Sequence, residues 1–258
     1  MAALSFDLSH QDAVAWLQTL PAASVDLLIT DPAYESLEKH RAIGTTTRLK
    51  HSKSSSNDWF TIFPNARFGE LFREVYRVLE PNSHFYLLCD AETMFVAKPE
   101  AEQAGFKFWK PLVWDKASIG MGYHYRARHE FILFFEKGKR KLADLGMADI
   151  IEVPRIRGGY PAEKPSEVAE VLINQSSSPG DVVCDPFMGS GSVGVAAARL
   201  GRRFLGNDLN PEAVRIAAKR LSEFGEGKVA AGLPAEAPDP QLDLLDSRLK
   251  PASTHHGQ

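Results

Sequence analysis

Four residues that follow an apolar segment have the types and order expected of a chemical site. Residues 25–30 predict a buried strand, which is followed directly by Asp31, Pro32, Ala33 and Tyr34. A carboxylate, a proline that restricts the backbone, a small residue and a ring could together present acceptors and a stacking surface to a ligand. Asp-Pro also begins many solvated turns, so this segment alone leaves both interpretations open.

A glycine-rich segment farther along the chain is a second candidate site. Gly189, Gly191 and Gly194 follow a predicted strand and open a predicted helix, in the pattern of the dinucleotide-binding fingerprint. Asp185 precedes this loop, where a pyrophosphate would need positive potential, and too little chain follows for a complete dinucleotide-binding half. S-adenosylmethionine fits better, because it has no phosphate and carries cationic groups that an acid attracts. Asp208, after the next strand, could accept both ribose hydroxyls, although a capping acid with packing glycines would show the same residues.

Apolar runs alternate with helix-period stretches along most of the chain, which predicts a mainly parallel sheet covered by helices on both faces. The runs at 107–116 and 129–137 are expected to be antiparallel neighbours. The predicted strands are residues 4–8, 25–30, 83–90, 107–116, 129–137, 181–187 and 202–209. The predicted helices are residues 12–20, 68–80, 91–103, 164–175, 192–201 and 210–221, the last with Asn210 as its N-cap and Pro211 at its first position.

The composition is that of an ordinary globular protein, with 44% hydrophobic and 24% charged residues. No apolar run approaches the roughly 20 residues that span a bilayer, and the first residues lack the pattern of a secretory signal. Cys89 and Cys184 lie inside predicted strands, which favours buried reduced thiols. No Cys/His spacing typical of zinc is present. We therefore expect a cytoplasmic protein without a membrane segment or a metal.

A long polar segment, residues 35–65, interrupts the alternation of strands and helices. The net charge of the chain is −3, yet this segment concentrates positive charge, which is typical of a phosphate-binding surface. A solvated loop has the same composition. We expect a mobile basic loop over the site. Its basic residues are Lys39, Arg41, Arg48, Lys50 and Lys53.

The domain organisation predicted from length and composition is simple. Residues 1–224 are expected to form one domain. Residues 225–258 are rich in Ala, Pro and Asp, and we expect them to form a flexible tail.

Both candidate segments resemble those of the β-class amino-methyltransferases of DNA, in which a catalytic tetrapeptide precedes the cofactor loop. The matching text is SVDLLITDPAY, residues 24–34, and the block from YPAEKPSEV to PEAVRIAAKR, residues 160–220. Within that block the Lys-Pro pair, Pro-Gly-Asp, Asp-Pro-Phe-Met-Gly-Ser-Gly and the acid after the next strand all coincide. With the intervening strands, the resemblance covers residues 4–222.

The resemblance implies a doubly wound α/β fold with a seven-stranded, mostly parallel sheet of the Rossmann-like S-adenosylmethionine-dependent methyltransferase type, in permuted motif order. It places the strand before Asp185 beside the strand before Asp31, where ligands bind outside the carboxyl ends of strands. It also implies methyl transfer from S-adenosylmethionine to the N6 amino group of an adenine that is rotated out of the DNA duplex.

The matching positions define the candidate site residues that this resemblance implies. Catalytic roles are expected for Asp31, Pro32, Ala33 and Tyr34. Cofactor contacts are expected at Asp12, Ala13, Asp31, Lys164, Pro165, Ser166, Asp185, Phe187, Met188, Gly189, Ser190, Gly191, Ser192, Asp208 and Leu209. DNA contacts are expected at Lys39, Arg41, Arg48, Lys50, Lys53, Arg126 and Arg128, with residues 115–160 as a partial target-recognition region.

Two positions depart from the family pattern. Ala33 replaces the second proline of the usual Asp-Pro-Pro-Tyr, which removes one restriction on the backbone and predicts a somewhat softer site. Tyr160 stands where the family usually has histidine.

Several alternatives remain open at the level of the sequence. The same fold could act on the N4 amino group of cytosine, although Asp as the first residue of the tetrapeptide is more often associated with adenine. A methyltransferase for structured RNA, a nucleotide-dependent dehydrogenase and an inactive DNA-binding module are the others. A homodimer and a cognate restriction endonuclease are possible partners implied by the resemblance.

Overall fold

Nine β-strands form one mixed sheet in the part of the chain that the computed structural model describes, which is residues 4–36, 61–120, 125–156, 163–231 and 233. The strands are β1 (Leu4–Ser9), β2 (Val25–Thr30), β3 (Leu79–Cys89), β4 (Lys107–Asp115), β5 (His129–Lys137), β6 (Ile150–Glu152), β7 (Val182–Asp185), β8 (Arg203–Asn207) and β9 (Gly225–Val229). Their order across the sheet is β6-β4-β5-β3-β2-β7-β8-β1-β9. β5 runs antiparallel to both β3 and β4, which confirms the predicted pairing, and the remaining pairs are parallel.

Helices cover both faces of this sheet. The described helices are α1 (Ala13–Thr19), α2 (Phe68–Val78), α3 (Ala91–Gln103), α4 (Ser166–Ser176), α5 (Ser192–Arg199) and α6 (Pro211–Leu221). Successive side chains of a strand point to opposite faces. Leu27 and Ile29 of β2 accordingly pack in a cluster with α4, α5 and α6, whereas Leu28 packs in a second cluster with α1, α2 and α3. This two-sided packing confirms the predicted doubly wound class.

The chain reverses its direction of progress across the sheet between β2 and β7. β2 pairs in parallel with β7 through Leu27–Val183 and Leu28–Cys184, and its other neighbour is β3. From β2 the chain continues toward one edge of the sheet, and from β7 it continues toward the other. The expected neighbourhood of the strands before Asp31 and Asp185 is therefore confirmed.

The described residues form nine strands rather than the predicted seven. β6 pairs with β4 through residues 150–152, and this length is too short to give a periodic signal. β9 pairs with β1 over residues 225–229, although its sequence, Gly-Glu-Gly-Lys-Val, lacks apolar alternation. The sequence predicts a tail from residue 225, whereas these five residues form an edge strand. Residues 232 and 234–258 lie outside the described part of the chain.

α2 is shorter than its pattern predicts. Its buried face holds Leu71, Phe72, Val75 and Val78 as expected, but Leu79 is extended and begins β3. The carbonyl of Val78 accepts a hydrogen bond from the amide of residue 24, just before β2, at 2.8 Å. The start of β2 thus satisfies a carbonyl that the end of the helix leaves free.

The remaining predictions about local structure concern caps and cysteines. Asn210 accepts a hydrogen bond from the amide of Glu212 and caps α6, which begins at Pro211 as predicted. Cys89 and Cys184 are both buried free thiols. Within the described residues, every helix is too short or too polar to cross a membrane.

Candidate active site

A cavity of about 310 Å³ opens where β2 and β7 end. It brings together most of the residues that the sequence singles out for catalysis and cofactor binding. Those that line it are Asp12, Ala13, Asp31, Pro32, Ala33, Tyr34, Lys164, Pro165, Asp185, Phe187, Met188, Gly189, Ser190, Ser192, Asp208 and Leu209. The Asp-Pro-Ala-Tyr segment and the glycine loop therefore face the same space.

The segment after β2 is tied down at its backbone. The amide of Phe63 donates a 2.7 Å hydrogen bond to the carbonyl of Ala33, and Glu35 accepts from the amide of Asn65 at 2.8 Å. Tyr34 is buried, yet it lines the cavity, and burial raises the pKa of its hydroxyl. The chain that returns before α2 thus fixes the backbone at Ala33, where the usual second proline is missing.

Asp31 belongs to a group of alternating charges. Lys164 Nζ contacts Asp31 Oδ2 and lies 3.4 Å from Glu130 Oε2, and Glu130 Oε1 accepts from Lys116 Nζ at 2.5 Å. Burial raises the pKa of Asp31, and the Lys164 ammonium opposes this rise. Burial alone would lower the pKa of Lys164, but the carboxylates of Asp31 and Glu130 outweigh it and raise that pKa. Each of these two charges therefore favours the ionised form of the other, against the effect of burial.

The loop after β7 is organised mainly by backbone groups. Asp185 is 3% exposed, and its Oδ1 accepts from Thr30 Oγ1 at 2.7 Å and from the amide of Phe187 at 3.0 Å. Burial raises the pKa of Asp185 to about 7, although both hydrogen bonds oppose the rise. Gly191 has φ +80°, and a Cβ on this residue would lie 2.9 Å from the Cβ of Ala217. Only glycine fits both the backbone angle and the space at this position.

Asp208 joins the glycine loop to the end of β8. Its Oδ2 accepts from the amide of Gly189 at 2.9 Å, and its Oδ1 accepts from the amide of Asn210 at 2.8 Å. Burial raises the pKa of Asp208, and these amide hydrogen bonds oppose the rise. The neighbouring Asn207 is fully buried and donates to the carbonyls of Gln11 and Pro186. The ends of β1, β7 and β8 are thereby cross-linked beneath the cavity.

Asp12 forms the rim of the cavity on the side of α1. It accepts from the amides of Val14 and Ala15 and so caps the helix. Arg67 also forms a double hydrogen bond with it, at 2.7 Å and 3.0 Å, which holds the pKa of Asp12 below its usual value. Helix capping and contact with the cavity, which the sequence leaves as alternatives, thus coexist at this residue.

Some predicted residues lie away from the cavity wall. Ser166 begins α4, and its hydroxyl accepts from Arg199 at 2.9 Å. Gly191 is not among the residues that line the cavity and serves instead as the residue before α5. Arg126 is exposed, and half-exposed Arg128 pairs with Asp115 at 2.6 Å. Lys39, Arg41, Arg48, Lys50, Lys53 and Tyr160 lie outside the described residues.

The cavity also includes residues that the sequence reasoning missed. The Phe63 ring packs edge-on against the Phe187 ring, with 5.1 Å between the ring centres. The Arg67 guanidinium carbon lies 5.3 Å from the centre of the Phe63 ring. Both residues lie where the basic segment ends and α2 is about to begin, a position that could have suggested a return to the site. Glu130 reaches the cavity because β5 runs antiparallel to β3. The start of β5 therefore lies at the end of the sheet where β2 finishes. The predicted antiparallel pair of β4 and β5 contained part of this signal.

A family model described as DNA methylase matches residues 25–154 and 148–219, which is most of the chain. Among curated proteins, the Type II methyltransferase M2.DpnII of Streptococcus pneumoniae is 28% identical over 245 residues, covering 85% of this chain and 90% of that protein. DNA adenine methyltransferase YhdJ of Escherichia coli strain K12 is 26% identical over 251 residues, covering 82% of this chain and 81% of that protein.

The solved structures include a protein of similar fold. The protein TTHA0409 of Thermus thermophilus, crystallised in complex with S-adenosyl-L-methionine, superimposes with a TM-score of 0.64 at 25% identity. The similarity covers 88% of this chain and 99% of that chain.

Proposed function

The chain belongs to the DNA methylase family, and from this premise we propose that it methylates the exocyclic N6 nitrogen of adenine in DNA. Its class, an S-adenosylmethionine-dependent DNA methyltransferase for exocyclic amino groups, follows from the family and from relatives along most of its length. The choice of adenine is supported by Asp31 at the first position of the tetrapeptide and by similarity to a DNA adenine methyltransferase. The observation that carries the proposal is the Asp31 carboxylate beside the glycine loop in one cavity.

The residues around the glycine loop fit S-adenosylmethionine. Ser192 Oγ is buried at the cavity wall and has no hydrogen-bond partner among the described residues, so a ligand that supplies one would relieve a cost. The carboxylates of Asp185 and Asp208 suit its cationic groups and its ribose hydroxyls. The walls at Phe187 and Met188 suit its apolar surfaces. When bound, this cofactor supplies a methyl group on a sulfonium that is already activated for transfer.

The Asp-Pro-Ala-Tyr segment supplies the groups that would prepare the nitrogen. The lone pair of an adenine amino group is delocalised into the ring, which makes the nitrogen a poor nucleophile. The Asp31 carboxylate and the Pro32 main-chain carbonyl are two acceptors, and together they would take both N–H groups and localise the lone pair. Positioning of this kind can supply much of a rate enhancement.

Tyr34 would hold the base once it leaves the duplex. The amino group is paired inside the helix, so the enzyme must rotate the nucleotide out to reach it. Stacking of a base on an aromatic ring contributes about 1–3 kcal/mol. The backbone hydrogen bond between Ala33 and Phe63 fixes the residue before Tyr34, and so it keeps the Tyr34 ring at the cavity wall.

The product itself explains why a strong base is unnecessary. A methylated nitrogen that has used its lone pair becomes cationic and acidic, so it releases a proton readily. Asp31 therefore acts chiefly as a hydrogen-bond acceptor during transfer. It is also placed to receive the proton afterwards.

The test is the identity of the methylated nucleoside. DNA from a host without other methyltransferases would be incubated with the protein and labelled S-adenosylmethionine, digested, and analysed by mass spectrometry. We expect N6-methyladenine, and sequencing of the methylated sites would give the recognition sequence. N4-methylcytosine as the product would overturn the choice of base and leave the family assignment intact.

The same acceptor pair could serve the N4 amino group of cytosine, so this is the second candidate. The N4 group presents the same two N–H bonds, so the two acceptors accommodate either base, and the choice of adenine depends on the association of Asp at this position with adenine and on the similarity to a DNA adenine methyltransferase. Membership of a DNA methylase family sets aside the dehydrogenase interpretation of the glycine pattern. DNA contacts by Arg126, Arg128 and the basic segment, a homodimer, and a cognate restriction endonuclease remain predictions.

A further inference from the structure

Four alternating charges connect the candidate catalytic carboxylate with the β4–β5 part of the sheet. They run from Asp31 through Lys164 and Glu130 to Lys116. The side chains are each between 18% and 24% exposed, so water screens these charges only partly. Lys164 and Glu130 line the cavity together with Asp31.

We propose that Glu130 is a positioning residue for methyl transfer, which holds Lys164 between two carboxylates and so limits how strongly this lysine engages Asp31. The inference rests on the proposed function, because Asp31 acts there as the acceptor of the substrate amino group. Glu130 acts through Lys164 and need not touch the substrate.

The surroundings of the Glu130 carboxylate cost more folding free energy than a purely structural role would justify. Its Oε2 atom is buried and makes no hydrogen bond among the described residues, and Lys164 Nζ lies 3.4 Å from it. Buried ion pairs contribute little net stability compared with apolar side chains of similar size. Burial acts to raise the pKa of Glu130, but Lys164 and Lys116 outweigh it and hold that pKa below its usual range. The carboxylate is therefore charged, and its charge faces the lysine that holds Asp31.

Loss of the Glu130 charge and loss of the Lys164 charge should change the pKa of Asp31 in opposite directions. Without the negative charge of Glu130, Asp31 would be the one carboxylate left beside Lys164. The Asp31 anion would then be more stable, and it would accept a hydrogen bond from the substrate amino group more weakly. Without Lys164, Asp31 would be a buried carboxylate beside another one and would take up a proton at higher pH. Neither substitution alters the other titratable groups around Asp31. These groups are Lys116, Tyr34, Cys89, Asp90 and Asp185.

The experiment compares single-turnover rate constants for methyl transfer between about pH 5.5 and 9 in the full-length protein. In Glu130→Gln we expect a rate a few-fold lower and an acid limb moved down by about one pH unit. In Lys164→Met we expect the limb to move up by about one unit or more, with activity that recovers as the pH rises. Glu130→Asp and Lys164→Arg keep the charges and should leave the limb near its original pH.

Glu102→Gln is a matched control, because it removes a carboxylate that pairs with Lys98 within α3 at 2.7 Å and does not line the cavity. It should leave both the rate and the limb unchanged. Circular dichroism and thermal melts would establish that each variant is folded. If the Glu130→Gln and Lys164→Met limbs stay where the wild-type limb lies, or move in the same direction, the proposal is wrong.

A carbon-13 titration of the Asp31 carboxyl, assigned with Asp31→Asn, gives a readout that does not depend on methyl transfer. We expect the Asp31 pKa to fall in Glu130→Gln and to rise in Lys164→Met. A wild-type protein that methylates no DNA would refute the proposed function, whereas an Asp31 titration that ignores both substitutions would refute the role of Glu130.

Discussion

The loops after β2 and β7 leave neighbouring strands at the same edge of the sheet, yet they are held in place by different kinds of interaction. The β7 loop is fixed by amide hydrogen bonds to Asp185 and Asp208 and by a glycine angle at Gly191. In the β2 loop a backbone hydrogen bond holds Ala33, but the Asp31 side chain is placed by charge, since Lys164 contacts both Asp31 and Glu130 of β5.

This difference indicates that the two loops depend on the rest of the fold to different degrees. Amide hydrogen bonds and the backbone angle of Gly191 largely determine the β7 loop, and apart from Thr30 of β2 their partners lie between residues 185 and 217. The β2 loop acquires its electrostatics from segments that are distant in sequence. Changes in the β2 loop should therefore alter methyl transfer with little effect on cofactor affinity, and changes in the β7 loop should alter cofactor affinity first.

The largest expected effect is that of Asp31→Ala. Removal of the carboxylate takes away one of the two acceptors for the substrate amino group, and we expect the single-turnover rate to fall at least about 100-fold. The dissociation constant for S-adenosylmethionine, measured by calorimetry, should stay within a few-fold. Retention of full activity would remove Asp31 from the mechanism, and a large loss of cofactor affinity would blur the distinction between the loops.

The next effect concerns the ring at Tyr34. Tyr34→Ala should raise the apparent dissociation constant for DNA that carries an unpaired target base by about 10- to 100-fold, because stacking contributes about 1–3 kcal/mol. Tyr34→Phe keeps the ring and should bind such DNA nearly as well as the wild type. Equal losses in the two variants would show that the hydroxyl, and not stacking, is what matters.

The two loops also differ in how far the sequence predicts them. The pairing of the strands before Asp31 and Asp185 was predictable because the resemblance to DNA amino-methyltransferases implies that the two strands are neighbours at the reversal point of the sheet. The contact between Asp31 and Lys164 was not, since the Lys-Pro pair was assigned to the cofactor side. The sequence predicts β4 and β5 as an antiparallel pair, but it does not predict that β5 runs antiparallel to β3, and this pairing is what brings Glu130 to the site.

The elements that were missed share a physical reason. β9 has no apolar alternation and forms because β1 would otherwise present an unpaired edge. α2 ends at Val78 because the amide just before β2 binds the Val78 carbonyl and the chain turns there into β3, although Leu79 keeps the helical period. In both cases a tertiary partner decides the local structure, and the local sequence carries little trace of that partner.

Gly191→Ala tests whether backbone shape controls the cofactor loop. The substitution forces a side chain into a φ of +80° and against Ala217, so we expect about tenfold weaker S-adenosylmethionine binding and a lower melting temperature. Gly180→Ala is the matched control, because Gly180 also has a positive φ, of +93°, but a Cβ there would meet nothing within 4 Å. It should lower the melting temperature without weakening cofactor binding. A similar loss of affinity in both variants would point to general destabilisation.

The smallest effect is the pH dependence of cofactor binding through Asp185. Its pKa of about 7 means that, as the pH falls below 7, the free protein gains a proton on this carboxyl and loses the negative charge that would attract a cationic ligand. S-adenosylmethionine binding should therefore weaken by roughly eightfold between pH 7.5 and 6, since a bound cation must displace that proton. Calorimetry in two buffers of different ionisation enthalpy would detect the released proton.

Asp185→Asn supplies the baseline for this measurement, because it removes the titrating group and retains a similar shape. Its affinity should be low and nearly constant over the same range, so any residual slope belongs to the ligand or to other groups. Thr30→Val should move the midpoint of the wild-type curve to higher pH, since the Thr30 hydroxyl donates to Asp185 and favours its charged form. Because Thr30 is the last residue of β2, that shift would also show that the two loops share one electrostatic contact. An affinity that ignores pH in the wild type would mean that Asp185 serves the shape of the loop and not the charge of the donor.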